Sequence, residues 1–410
     1  MSRTRLALVA AAVAIFAVGA ATGATLLSRD DGPAVDHAAA GKTTASTTAS
    51  ADHGGMHPVA GNFAPDETEL SDCRQGDSGC VEQAYGNLAF KKGPEEALAA
   101  FDAAIADDPD IEAGCHRIAH MIGSAALEGL EGNVAQAFAR GSASCWSGYY
   151  HGILERAFAD VASRDEVADV ARGLCDDEEI KATTFLLYQC VHGLGHGLMI
   201  YSAYDLPYSL SICDALATDW DQTSCTGGVF MENISTSYGV KSKWVRDDDP
   251  VYPCQTVKER HKLYCYLMVT SRINELNGFD WEETAATCKR VEKDWVATCF
   301  ESYGRDASGN SRQDPPTVAR LCEHARPFAS SCVYGAARDM TSNYANGERA
   351  SELCGLIQRS LRAQCFHGIG TILGNLGATD AEKRKLCVDV TPPAYLPTCL
   401  AGTGLAVEGG

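Results

Sequence analysis

The chain has 410 residues, more than one compact core usually holds, and its 45% hydrophobic and 21% charged residues are the balance of a folded protein. A formal net charge of -20 with no basic cluster excludes a nucleic-acid-binding surface. Eighteen cysteines without one CxxC pair exclude zinc ribbons, thioredoxin-like sites and covalently attached haem c.

The N-terminus predicts export. Arg3 and Arg5 precede an apolar run from Leu6 to Leu27, roughly 33 Å as a helix and about one bilayer core. Residues 1–28 therefore read as a signal anchor that attaches the protein to a membrane, or as a signal peptide cut near Val18-Gly19-Ala20. The arginines keep that end cytoplasmic and place the rest in the cell envelope or outside the cell. An even number of cysteines agrees, because disulfides persist in oxidising compartments.

Residues 29–70 are rich in Ala, Thr, Ser, Gly and Asp and read as a flexible extracytoplasmic linker. His53, Met56 and His57 lie inside it, a ligand mixture that suits copper and equally a plain tether with scattered histidines. Residues 71–407 form the predicted folded domain.

That domain opens with a helical hairpin. Residues 79–91 have helical composition, and Gly93-Pro94 starts a second helix with Glu95 and Glu96 in its first turn. Ala97, Phe101, Ala104 and Pro109 fall at the spacing of a helix-B signature. Over these 30 or so residues the chain resembles a tetratricopeptide or Sel1-like helical repeat, which implies a helix pair and no particular activity.

From Cys175 onward the cysteines fall into pairs: 175/190, 213/225, 254/265, 288/299, 322/332, 354/365 and 387/399. Second cysteines recur about every 34 residues, the length of a two-helix unit. Each first cysteine ends an amphipathic run and each second one opens another. The predicted fold is thus all-α, an α-solenoid of two-helix repeats, most of them stapled by one disulfide near the helix connection. Solenoid hairpins are marginal alone, and closing an 11-residue loop adds about 3 kcal/mol in the chain-entropy model. Cys115 and Cys145 occupy the context of second cysteines, and their partners are Cys73, Cys80 or each other.

Alignment on the second cysteine isolates the unusual positions. Three residues on stand Gly148, Gly193, Gly228, Gly335 and Gly368, small enough to let helix backbones approach. Six residues on stand His151, His196 and Met231, where later repeats carry Ser271, Arg305, Arg338 and Thr371. His116 and His120, and His192 and His196, are pairs four apart that share a helix face. Glu155 follows His151 by the same step. Neighbouring helices pack about 8–10 Å apart, so side chains at equivalent positions can meet between them. His116, His120, His151, Glu155, His192 and His196 are the candidate metal ligands, with copper, zinc or iron as the fitting ions. Met121, Met199 and Met231 nearby would add soft sulfur.

Three functions follow from this pattern. The first is an exported protein whose histidine cluster binds a transition metal or haem. The second is a metal-free scaffold whose concave face takes a protein partner, with Trp220, Trp244, Trp281 and Trp295 as anchors. The third is a metal-dependent enzyme, which needs an open coordination position. HExxH, GxSxG and P-loop signatures are all absent from the chain.

Overall fold

The computed structural model of the protein describes residues 63–142, 144–159, 161, 163–235 and 241–405. The apolar run 6–27, the tether histidines His53 and His57 and most of the linker lie outside them. No helix among the described residues is long and apolar enough to cross a membrane.

The described residues form helices and no strand. The N-terminal part comprises α1 (Ser78–Lys92), α2 (Pro94–Asp107), α3 (Pro109–Gly129), α4 (Val134–Ala139) and α5 (Ser144–Ala159). Next come α6 (Arg164–Leu174), α7 (Glu178–Lys181), α8 (Thr184–Tyr201), α9 (Leu206–Cys213), α10 (Asp219–Ile234) and α11 (Glu259–Asn277). The C-terminal part holds α12 (Trp281–Cys288), α13 (Val296–Asn310), α14 (Pro315–His324), α15 (Ala329–Tyr344), α16 (Glu348–Leu356), α17 (Arg359–Leu376), α18 (Asp380–Val390) and α19 (Leu396–Gly402).

Local chemistry starts the short helices. Asp205, Asp280 and Asp314 accept from backbone N–H groups at the starts of α9, α12 and α14, and Thr379 with Glu382 forms a capping box on α18. Pro207 and Pro315 sit in first turns, where a missing N–H costs nothing. Pro109 likewise opens α3 rather than closing α2.

All seven predicted staples from Cys175–Cys190 to Cys387–Cys399 are formed. The open pairings resolve as Cys73–Cys80 and Cys115–Cys145, leaving no free cysteine. One hairpin departs from the pattern. Residues 241–258, which lead to Cys254, form turns instead of a helix. Pro250 and Pro253 remove two N–H donors there and bias the residues before them away from helical backbone. The folded region also begins earlier than composition suggests: Phe63 is buried against Phe90, and Asp66 exchanges hydrogen bonds with Asn87 of α1.

Helices α3, α5, α8, α10, α11, α13, α15, α17 and α19 pack in succession, each on the next. Their contacts are closest where glycines face backbone. A Cβ added to Gly195 of α8 would lie 2.1 Å from the Cys225 carbonyl, and one on Gly228 of α10 would lie 1.9 Å from the His192 carbonyl. Gly123 and Gly152 play the same reciprocal part between α3 and α5. Only glycine permits such backbone contact.

The row of helices also curls onto itself: α15 touches α5, and α17 touches α8. Several residues two and six positions past a second cysteine therefore border one cavity. This cavity of about 160 Å³ takes His151, His192 and Met231 from α5, α8 and α10, and Glu301, Arg305 and Arg338 from α13 and α15.

Candidate metal centre

Five imidazoles from three successive helices meet at the inner face: His116 and His120 from α3, His151 from α5, and His192 and His196 from α8. The four-residue step puts each α3 and α8 pair on one helix face. The reciprocal glycines between α3 and α5 bring those two backbones into contact, so His151 reaches rings on its neighbours. Its ring centroid lies 5.4 Å from those of His116 and His120, 5.6 Å from that of His192 and 4.2 Å from that of His196.

The ligand atoms form two overlapping triads. His116, His120 and His151 offer nitrogens all within 4.8 Å of one another, and so do His151, His192 and His196. His151 belongs to both, and neither of its ring nitrogens has a hydrogen-bond partner.

Oxygen acceptors fix the orientation of the other rings. His116 Nδ1 donates to the Cys145 carbonyl at 2.8 Å, and His120 Nδ1 donates to the Glu155 carboxylate at 2.5 Å. His196 Nδ1 donates to Glu232 at 2.9 Å, and the other oxygen of Glu232 accepts from the Tyr204 hydroxyl at 2.9 Å. With Nδ1 carrying the proton, Nε2 of His116, His120 and His196 presents its lone pair inward. A carboxylate behind Nδ1 is the arrangement that orients a metal-bound histidine and raises its basicity. His192 is flanked by the Tyr188 hydroxyl, 3.4 Å from Nδ1, and by the backbone of Ser224.

Burial decides the charge state. It pushes His116 and His120 down to about 4 and His192 down to about 3, helped at His116 and His192 by neighbouring imidazoles. His151 and His196 lie well below the ordinary value for the same reasons. The cluster is therefore neutral at pH 7, the form in which imidazole binds metals.

The structure thus brings together all five histidines predicted from the sequence. Glu155 is placed differently: it stands behind His120 as a hydrogen-bond acceptor and belongs to neither triad. Glu232 was not anticipated. Its signal lay in the repeat, because it follows His196 by 36 residues much as Glu155 follows His120 by 35. Met231 lines the cavity beside His151 and His192, whereas Met121 packs against Gly86. Among the tryptophans, Trp220 is 40% exposed, and Trp244, Trp281 and Trp295 are partly buried against the core.

Scans against protein-family models, curated proteins and solved structures find no match for the chain.

Proposed function

We propose that this is an extracytoplasmic metal-binding protein whose five-histidine centre holds a divalent first-row transition metal, copper or zinc before others. The observation that carries this reading is the convergence of two imidazole triads on His151, with Glu155 and Glu232 orienting rings from behind. Core packing alone gives no reason to gather five neutral imidazoles with their nitrogens toward one another. All-imidazole donor sets suit copper and zinc, and copper lies above zinc in the affinity order for the same ligands. Haem fits less well: the rings touch one another, with His151 stacked on His196 at 4.2 Å, and leave no slot for a planar macrocycle. Nine disulfides support an oxidising location, where the N-terminal apolar run would deliver the domain.

The test is elemental analysis of protein purified with its disulfides intact, followed by Cu2+ and Zn2+ titration of chelator-stripped material. The reading expects tight, saturable uptake that His151→Ala abolishes. Uptake unchanged in that variant, or none in the unaltered protein, sinks it.

A catalytic reading is a second possibility, favoured by one observation. The cavity borders His151 and His192, so an ion held there would face open space rather than a closed shell.

A further inference from the structure

The cavity that borders the histidines also contains an arginine whose nearby opposing charge, Glu301, forms no ion pair with it. Arg305 is neutralised by Asp306, with Nε at 3.0 Å from the carboxylate, and also donates to Ser271. Arg338 is not neutralised in this way. Among the described residues it has no ion pair and no hydrogen bond. Its guanidinium lies 5.4 Å from the centre of the Tyr334 ring, and its Nε is buried without a partner. A guanidinium is always charged, and holding a half-buried one without an ion pair is unfavourable unless something else supplies the anion. Two carboxyls share its wall, Glu301 and Asp339. Burial pushes both up, Asp339 to about 6, and the Arg338 charge pulls Glu301 only part of the way back, so neither is as strong an anion as a surface carboxylate.

The remaining lining is largely apolar, including Met231, Leu267, Met268 and Ile372. The volume of about 160 Å³ is close to that of an engineered cavity known to bind benzene. A second hollow of about 230 Å³ shares Arg338, Tyr188 and Tyr264 with the first and is lined by Trp220, which is 40% exposed. Arg338 thus stands between the inner cavity and a route outward.

We infer that the cavity binds a small organic monocarboxylate with an apolar body about the size of one aromatic ring, its carboxylate paired with Arg338 and its body directed toward the His151 and His192 wall. A guanidinium matches a carboxylate with two parallel hydrogen bonds. A polyanion such as a phosphate dianion would meet one arginine already paired with Asp306, a second beside Glu301 and Asp339, and an acidic protein, and is disfavoured. The inference deepens the metal reading by naming what the metal would face, but it stands on Arg338.

Benzoate is the probe and benzamide its uncharged counterpart, each titrated calorimetrically into the full-length protein with and without bound zinc. Benzoate should bind at least about tenfold more tightly than benzamide, the scale of a charged hydrogen bond. Arg338→Gln should reduce benzoate to the benzamide level, and Arg338→Lys should restore part of the difference, with zinc uptake unchanged in both. Equal affinity of the unaltered protein for the two compounds, or binding of neither, overturns the inference without any variant. So does undiminished benzoate binding in a folded Arg338→Gln protein. If zinc does not bind but benzoate still binds through Arg338, the metal reading alone fails.

Discussion

His116 and His120 hold their Nε2 atoms 3.0 Å apart while each donates from Nδ1 to an oxygen, the Cys145 carbonyl in one case and Glu155 in the other. Both lone pairs then point into the same small space. Two neutral acceptors so placed repel, and a cation bound by both removes the repulsion. Because His151 is common to the two triads, the variants should separate them. His116→Ala should remove one triad and leave His151, His192 and His196 able to bind, whereas His151→Ala should lose high-affinity uptake altogether. Metal-to-protein ratios by elemental analysis after dialysis check this. A ratio that falls equally in both variants contradicts the division into triads.

Glu232→Gln should weaken metal binding by about 10–100-fold without unfolding the protein, the usual effect of losing a carboxylate behind a ligating imidazole. The amide still accepts from Tyr204 but no longer strengthens the basicity of His196. Competition with a chromophoric chelator measures the change, and unaltered affinity would place His196 outside the binding set.

Metal-free protein should lose stability on mild acidification. The histidines are depressed in the folded state, so the unfolded chain binds more protons and stability rises with pH across the window. The stability they contribute is fully present above the unfolded value of 6.5 and is lost as pH falls through about 4 for His116 and His120 and about 3 for His192. Asp339 works oppositely: its raised value makes a contribution that is full below 3.8 and lost as pH rises through about 6. Several histidines outweigh one aspartate, so urea midpoints should fall between pH 7 and pH 4. A flat profile would mean that the rings are not buried neutral.

Gly228→Ala tests the backbone contact between α8 and α10. The added methyl would sit 1.9 Å from the His192 carbonyl, and no side chain can move aside to relieve it. The helices must separate, costing about 1–3 kcal/mol in the manner of overpacking. His192 and His196 shift with α8, so metal affinity should fall together with the melting temperature. Gly173→Ala, whose added methyl meets nothing within 4 Å, serves as the control.

Removing a staple should cost about 2–4 kcal/mol. Cys322→Ser with Cys332→Ser opens a disulfide between residues 10 apart in the α14–α15 hairpin, remote in sequence from the histidines. Chemical denaturation should register the loss, while zinc uptake at 25 °C should be retained.

The repeat was legible because its determinants are local. Cysteine spacing, capping residues and small residues recur within each hairpin, and a disulfide between residues 10 to 15 apart leaves little freedom in how two helices meet. The five histidines were legible for the same reason, since the four-residue step fixes a shared face. Closure of the row, α15 against α5, was not, because it depends on small rotations summed over many repeats that no single residue encodes. That closure explains why His151 and Arg338, which occupy the same register in different repeats, face one cavity. Glu232 was hidden because its role appears only once α10 is placed against α8. The turns before Cys254 show proline chemistry overriding the repeat.

Eight of the disulfides join cysteines no more than 15 residues apart, and the ninth spans 30. Each bond can therefore oxidise as soon as its own hairpin exists, while cysteines further along are still being made. Such short loops favour the native partner over a distant cysteine, because closure costs less entropy the shorter the loop. If the hairpins close in chain order, the α3, α5 and α8 histidines come together before Arg338 is in place. A chain halted midway would then already own its histidine cluster but lack the Arg338 part of the cavity.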